Sequence, residues 1–257
     1  MIDSHAHYDD EKFDMDRDQV LQDCITHGVT HILNAGSNIE SSKKSIELAK
    51  KHPFVYAAVG VHPHDVSECD INTIDTLTSF SEADKVVAIG EIGLDYHYDF
   101  SPREVQREWF AKQIALARKL KLPIIIHDRE SHKDVLDIIK SEKAGEVGGV
   151  FHCFSGSKEM AREVLNLGFK IGLGGAITFK NAQKPIEVLR YVPLDMLLVE
   201  TDCPYMTPEP HRGKRNWSGY IELVLNKISE IKEIDYALAE EATTNNAIHL
   251  FKLQSIY

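Results

Sequence analysis

SPREVQREWFAKQIALARKLKLPIIIHDRE, residues 101–130, sets a long amphipathic stretch directly before a short apolar run that closes in charged residues. The first part reads as a helix from Ser101 to Leu120, with Ser101 as N-cap, Pro102 in the first turn and Glu104 three residues after the cap. Val105, Trp109, Phe110, Ile114, Ala117 and Leu120 recur at helical spacing and form one apolar face. The run LPIIIH (122–127) is continuous and β-branched, as parallel strands covered on both faces are. A helix followed by a parallel strand is the unit, and its repetition decides the fold.

The unit recurs along the chain. Strand-like runs are MID (1–3), THILNAG (30–36), FVYAAVGV (54–61), KVVAIGEI (85–92), LPIIIH, GGVFHC (148–153), FKIGLGG (169–175) and MLLVET (196–201). Helix-like segments lie near 16–27, 39–51, 71–82, 130–142, 157–167 and 184–191, and two further helices follow Asn216. Eight strands alternating with helices predict an α/β fold, a (β/α)8 TIM barrel with extra C-terminal helices; a doubly wound open sheet is the alternative. The length of 257 residues suits such a barrel, which takes about 250. No linker or low-complexity segment divides the chain, so residues 1–257 are expected to form a single domain.

With 29 Lys and Arg against 40 Asp and Glu, the net charge of −11 argues against general affinity for nucleic acid backbone. It leaves room for a nucleic acid substrate held by divalent cations and a local basic loop. Cys24, Cys69, Cys153 and Cys203 form no Cys-x-x-Cys pair, which points to a reducing compartment. The acidic stretch DDEKFDMDRD (9–18) lacks the layout of a signal peptide, and no apolar run approaches the ~18 residues of a membrane helix. The expectation is a cytoplasmic protein with no membrane and no obligate protein partner.

In a barrel of this kind catalytic groups sit where strands end. His5 and His7 end the first strand here, His62 and His64 the third, Glu91 and Asp95 the fourth. His127 and Arg129 end the fifth, His152 the sixth, Glu200 and Asp202 the eighth. One such histidine is ordinarily a hydrogen-bonded structural group. Six strand ends bearing imidazole or carboxylate converge on one mouth, and so many titratable groups need a cation to hold them together. His5, His7, His127 and His152 with Glu91 and Asp202 exceed what one four-coordinate zinc takes. Two ions ~3.5–4 Å apart, bridged by Glu91, use the set economically. Imidazole favours Zn, Mn, Co or Fe over Mg. Asp3 shares the His5 and His7 face at a deeper level, where it would orient a ligand histidine. Alternation turns Cys153 and Cys203 away from the mouth.

DSHAH (3–7), GVHPH (60–64), GEIGLDY (90–96), HDR (127–129), FHCFSG (151–156) and ETDCP (200–204) occur in one order. As a set they resemble the TatD family of metal-dependent deoxyribonucleases within the amidohydrolase-like barrels, from residue 1 to about 216. The resemblance implies a two-metal TIM barrel with His5, His7, Glu91, His127, His152 and Asp202 as ligands, the ions being Zn, Mn or Mg. It also implies hydrolysis of DNA phosphodiesters, often from the 3′ end of single strands. Glu91 stands where many other amidohydrolases carry a carboxylated lysine. Trp217-Ser218 follows HRGKRN (211–216) where relatives commonly have Glu-Pro, which puts the local loop geometry in question.

The mechanism expected from this set has a bridging water attacking phosphorus in line, Asp202 as its base and Glu91 as the bridge. His64, Arg129, Arg212 and Lys214 would hold flanking phosphates, and Tyr96 and Trp217 are candidates to stack on bases. Activated hydroxide does not choose its electrophile, so an acyl ester or amide hydrolase, such as an aminoacyl-tRNA deacylase, is the alternative. A metal-dependent binding protein without turnover is the third class.

Overall fold

The structure, a computed structural model, describes residues 1–254. Eight parallel strands form one sheet in chain order: β1 (Ile2–Ala6), β2 (His31–Ala35), β3 (Val55–Val59), β4 (Val86–Asp95), β5 (Ile124–Arg129), β6 (Gly149–Phe151), β7 (Lys170–Leu173) and β8 (Leu197–Val199). Helices alternate with them: α1 (Arg17–Thr26), α2 (Ile39–Lys51), α3 (Thr73–Ser81), α4 (Arg103–Leu120), α5 (His132–Ser141), α6 (Lys158–Asn166) and α7 (Gln183–Tyr191). The tail adds α8 (Ile221–Lys232) and α9 (Tyr236–Phe251). Beyond β8 the chain meets β1 through a parallel bridge between Ala6 and Cys203. His7 N–H donates to Cys203 O at 2.8 Å and Asp202 N–H to His5 O at 3.0 Å. The sheet is therefore a nearly closed TIM barrel, and the open-sheet alternative falls.

Two apolar layers follow from strand alternation. Ile32, Ala57, Ile89, Ile124, Ile126, Phe151, Ile171 and Leu197 belong to the cluster shared with the surrounding helices. Leu33, Tyr56, Ala88, Ile125, Val150 and Leu198 form a second cluster, joined by Ala247 and Phe251 of α9. His127 and His152 lie two residues beyond Ile125 and Val150 on the same faces, which sets their imidazoles above this second layer.

Several boundaries move. β1 extends through His5, and β4 runs on to Asp95, so Glu91 lies inside a strand. Ser101 does not cap α4, which begins at Arg103 after Pro102. Its buried hydroxyl donates instead to His64 O at 2.8 Å and accepts from Ser67 N at 3.2 Å, satisfying the β3–α3 loop. His31 is buried in β2, its Nε2 3.1 Å from Gln254 O. Gly93 lies at φ +149°, and a Cβ there would come 1.9 Å from His127 O. That close approach of β4 and β5 carries His127 to Glu91. No helix among the described residues is long and apolar enough to cross a membrane.

Candidate metal centre

Glu91 presents two faces. Its Oε2 lies 3.4 Å from His5 Nε2 and 3.6 Å from His7 Nε2. Its Oε1 lies 2.8 Å from His152 Nε2, 2.9 Å from His127 Nδ1 and 3.4 Å from His62 Nε2. Asp202 closes the first face, its Oδ1 3.4 Å from His7 Nε2 and 3.8 Å from His5 Nε2. The rings of His5 and His152 stack at 4.0 Å and span the two faces. His5–His7–Asp202, His5–Glu91–His152 and His62–Glu91–His127 each offer ligand atoms within 4.8 Å of one another. The structure thus brings together all six expected ligands and adds His62. His62 closes the same run as His64, so its signal was present in GVHPH.

Surrounding groups aim these rings. His7 Nδ1 lies 2.9 Å from Ala35 O, which leaves Nε2 facing Glu91. Asp95 Oδ2 is 3.0 Å from His127 Nε2 and 3.0 Å from His64 Nε2, while Asp95 Oδ1 accepts from the backbone N–H of His97 and Tyr98. Asp95 therefore fixes the His127 ring with Nδ1 inward, as carboxylates behind metal-binding histidines do. Asp3 does not do this for His5. Its oxygens accept from the backbone N–H of His5 and Thr201 and from the hydroxyls of Thr201 and Ser218, tying strand ends together instead. The reason is depth: Asp3 lies below the rings, level with the β8 exit.

Asp202 reaches the site through a left-handed turn, φ +58°, a conformation Asp tolerates better than most residues. Glu200 is buried behind His152, its Oε1 3.8 Å from His152 Nδ1 and accepting from Cys153 N–H. Gly172 makes room for it, since a Cβ there would meet Glu200 Oε2 at 2.6 Å. Cys153 follows the end of β6 with φ +43° and Cys203 is fully buried; neither lines the cleft.

The electrostatics are those of interleaved acids and bases. Burial, with His152 alongside, depresses His5 to about 4, and burial likewise depresses His62 to about 4. Burial also works against charge on His7, but Asp202 and Glu91 outweigh it and hold His7 up at about 10. Against burial, Asp95 and Glu91 raise His127 to about 9. Glu91 overcomes burial to stay well below the usual carboxylate range through His152 and His62. Asp202 overcomes it mainly through His7 and is also lowered. Burial pushes Glu200 up to about 8. The donor set is imidazole and carboxylate only. Two ring nitrogens, one of buried His5 and one of half-buried His7, face each other at 3.1 Å beside Glu91 and Asp202, an arrangement a divalent cation satisfies.

The centre opens into a cleft of about 530 Å³, lined also by Asp10, Ser37, Asp65, Tyr98, Tyr205 and Met206. His64 and Arg129 line it; Arg212 and Lys214 do not. Arg212 lies over the Phe179 ring at 3.9 Å and donates to Thr207 O at 3.2 Å. Arg215, from the same basic segment, makes a two-pronged ion pair with Asp16. Tyr96 and Trp217 are also elsewhere: Tyr96 OH donates to Asp134 at 2.7 Å, and Trp217 packs against His27 and Tyr220. A larger groove of about 670 Å³ between α1 and α2 meets the cleft at Asp9 but has no histidine in its lining.

A family model described as TatD related DNase matches residues 2–252. The chain belongs to the TatD family. It is 44% identical over 253 residues to the metal-dependent hydrolase YabD of Bacillus subtilis, covering 98% of this chain and 99% of that one. It is 31% identical over 259 residues to the 3′-5′ ssDNA/RNA exonuclease TatD of Salmonella typhimurium, covering 98% and 99%. The crystal structure of YJJV, a TatD homologue of Escherichia coli K12, superposes with a TM-score of 0.93 at 32% identity, covering 99% and 98%. The TatD-family chain is thus a metal-dependent hydrolase whose His, Glu and Asp clusters can hold metal ions.

Proposed function

We propose that this TatD-family chain acts as one unit that hydrolyses phosphodiester bonds of DNA, preferably single-stranded and from the 3′ end. The supporting observation is the two-faced carboxylate: Glu91 offers one oxygen to His5 and His7 and the other to His127 and His152. On this reading His5, His7, Asp202 and Glu91 would hold one divalent ion, and Glu91, His127 and His152 would hold a second. Two ions of Zn, Mn or Mg would supply an activated nucleophile near neutral pH and neutralise charge on the phosphoryl oxygens. Asp202, kept ionised beside His7, would serve as the base that takes a proton from the nucleophile. Asp95 and Ala35 O keep the His127 and His7 rings in one orientation. Arg129 and His64 line the cleft where the neighbouring phosphates of a strand would lie. Arg212 and Lys214, outside it, would meet only a strand that runs past the rim. The Salmonella relative's name supports the choice of bond and polarity.

The test is end-labelled single-stranded DNA with metal-replete protein, beside EDTA-treated and Asp202→Ala controls. A ladder shortening from the 3′ end, lost in both controls, is expected. Intact DNA with metal bound would overturn the reading and turn attention to acyl esters such as aminoacyl-tRNA.

A further inference from the structure

Three large side chains stand exposed at the rim of the cleft: Tyr98 (48% exposed), Phe100 (67%) and Tyr205 (45%). Tyr98 and Phe100 follow β4, and their rings stack at 5.2 Å and 19°. The His64 ring meets both edge-on, at 5.4 and 4.7 Å. The Arg129 guanidinium lies over Tyr98 at 4.7 Å, and Arg129 is the one Lys or Arg among the described residues lining the cleft. Tyr205 follows β8, its hydroxyl held by Asp10 at 2.6 Å and its ring under Lys12 at 4.2 Å. With strands in the order β1 to β8, β4 and β8 lie on opposite sides of the barrel. Tyr98 and Tyr205 therefore flank the metal centre from opposite rims.

Packing does not explain this arrangement, because apolar ring surface left in water is unfavourable and Phe100 leaves two thirds of its surface there. A layered pair of rings with a guanidinium, beside an anion-hydrolysing centre, suits a π-faced, negatively charged ligand. Resting on the phosphodiesterase reading above, we propose that Tyr98 and Phe100 form a stacking platform for a nucleobase next to the scissile phosphate, with Arg129 at the adjoining phosphate. Tyr205 receives a second base on the opposite rim. Bases in a duplex are already stacked on each other, so the platform selects single strands. Stacking is tolerant of base identity, so the platform sets strandedness rather than sequence.

Binding of a 5′-fluorescein oligothymidylate whose 3′-terminal linkages are cleavage-resistant phosphorothioates tests this by anisotropy, with the metal-loaded protein. A second oligonucleotide with the same linkages carries abasic residues at its three 3′-terminal positions. Phe100→Ala and Tyr98→Ala are each expected to weaken binding of the first by about 10-fold, and Phe100→Trp to retain it. Binding of the abasic strand should be weaker and indifferent to these substitutions. Equal affinity of all variants, or equal losses on both strands, would overturn the platform. Cleavage of the first oligonucleotide made with ordinary phosphodiester linkages, by the unsubstituted chain, is scored separately. Cleavage with ring-independent binding would sink the platform alone. Ring- and base-dependent binding without cleavage would sink the phosphodiesterase reading and leave the platform standing.

Discussion

Glu91 is nearly fully buried, and five imidazoles surround its two oxygens. A group in this position does two jobs: it compensates the positive rings and separates two sets of ligand atoms. Glu91→Gln removes the charge while keeping the shape, so metal stoichiometry measured by elemental analysis should fall and hydrolysis should drop by at least ~100-fold. Retained stoichiometry would show that Glu91 is no bridge. Asp95 acts one step further out, through His127. Asp95→Asn should lower metal affinity or activity by about 10–100-fold, as removing a carboxylate behind a ligand histidine generally does; unchanged metal titration would remove it from that role. Asp95 was visible in the sequence as a strand-end residue of GEIGLDY, but its partner was not, since His64 and His127 come from β3 and β5.

At the scale of elements, α4 does more than cover the barrel. Buried Gln106 accepts from Asp95 N–H at 2.8 Å and donates to Asp95 O and Ser101 O. Buried Gln113 does the same for Val61, accepting from its N–H at 2.8 Å and donating to its O at 3.0 Å. One helix thereby sets the heights of the β3 and β4 exits, where His62, His64, Asp95 and the Tyr98–Phe100 pair emerge. Gln106→Ala leaves these buried backbone groups unpaired and should cost about 1–3 kcal/mol in urea unfolding, with a loss of metal affinity that a surface alanine on α4 would not cause. Gly93→Ala forces a methyl against His127 O and should cost ~3 kcal/mol or more, read in the same unfolding experiment. A neutral result there would mean that β4 and β5 need not approach so closely. The helical pattern of 101–120 was legible because its apolar spacing is local. The two glutamines were not, since a polar residue inside an apolar stripe says nothing of which loop it serves.

Over the whole molecule, the charge pattern around the centre links stability to pH and to metal. His7 and His127, raised to about 10 and about 9, hold protons in the fold that the unfolded chain releases near 6.5. Their contribution is complete below 6.5 and lost as pH rises through 9 and 10. Glu200, raised to about 8, adds a loss in the same direction between its ordinary value and 8. The metal-free protein should therefore fall in Tm from pH 6.5 to 9, and saturating divalent metal, which takes the ring nitrogens as deprotonated ligands, should remove the histidine share of the decline and leave only the Glu200 share below pH 8. Scanning calorimetry across that range decides it, a flat metal-free profile being the contrary result. The sequence alone determined the repeating strand and helix units, their number and the polar residues closing six of the eight strands, because periodicity and strand ends are local properties of the chain. Only the tertiary structure decided that Glu91 divides the histidines into two sets and that Arg215 is spent on Asp16. It also decided that Arg212 lies off the cleft while Tyr98, Phe100 and Tyr205 stand on its rim. Those outcomes depend on how loops from different strands meet around the closed ring, and no spacing along one strand encodes them.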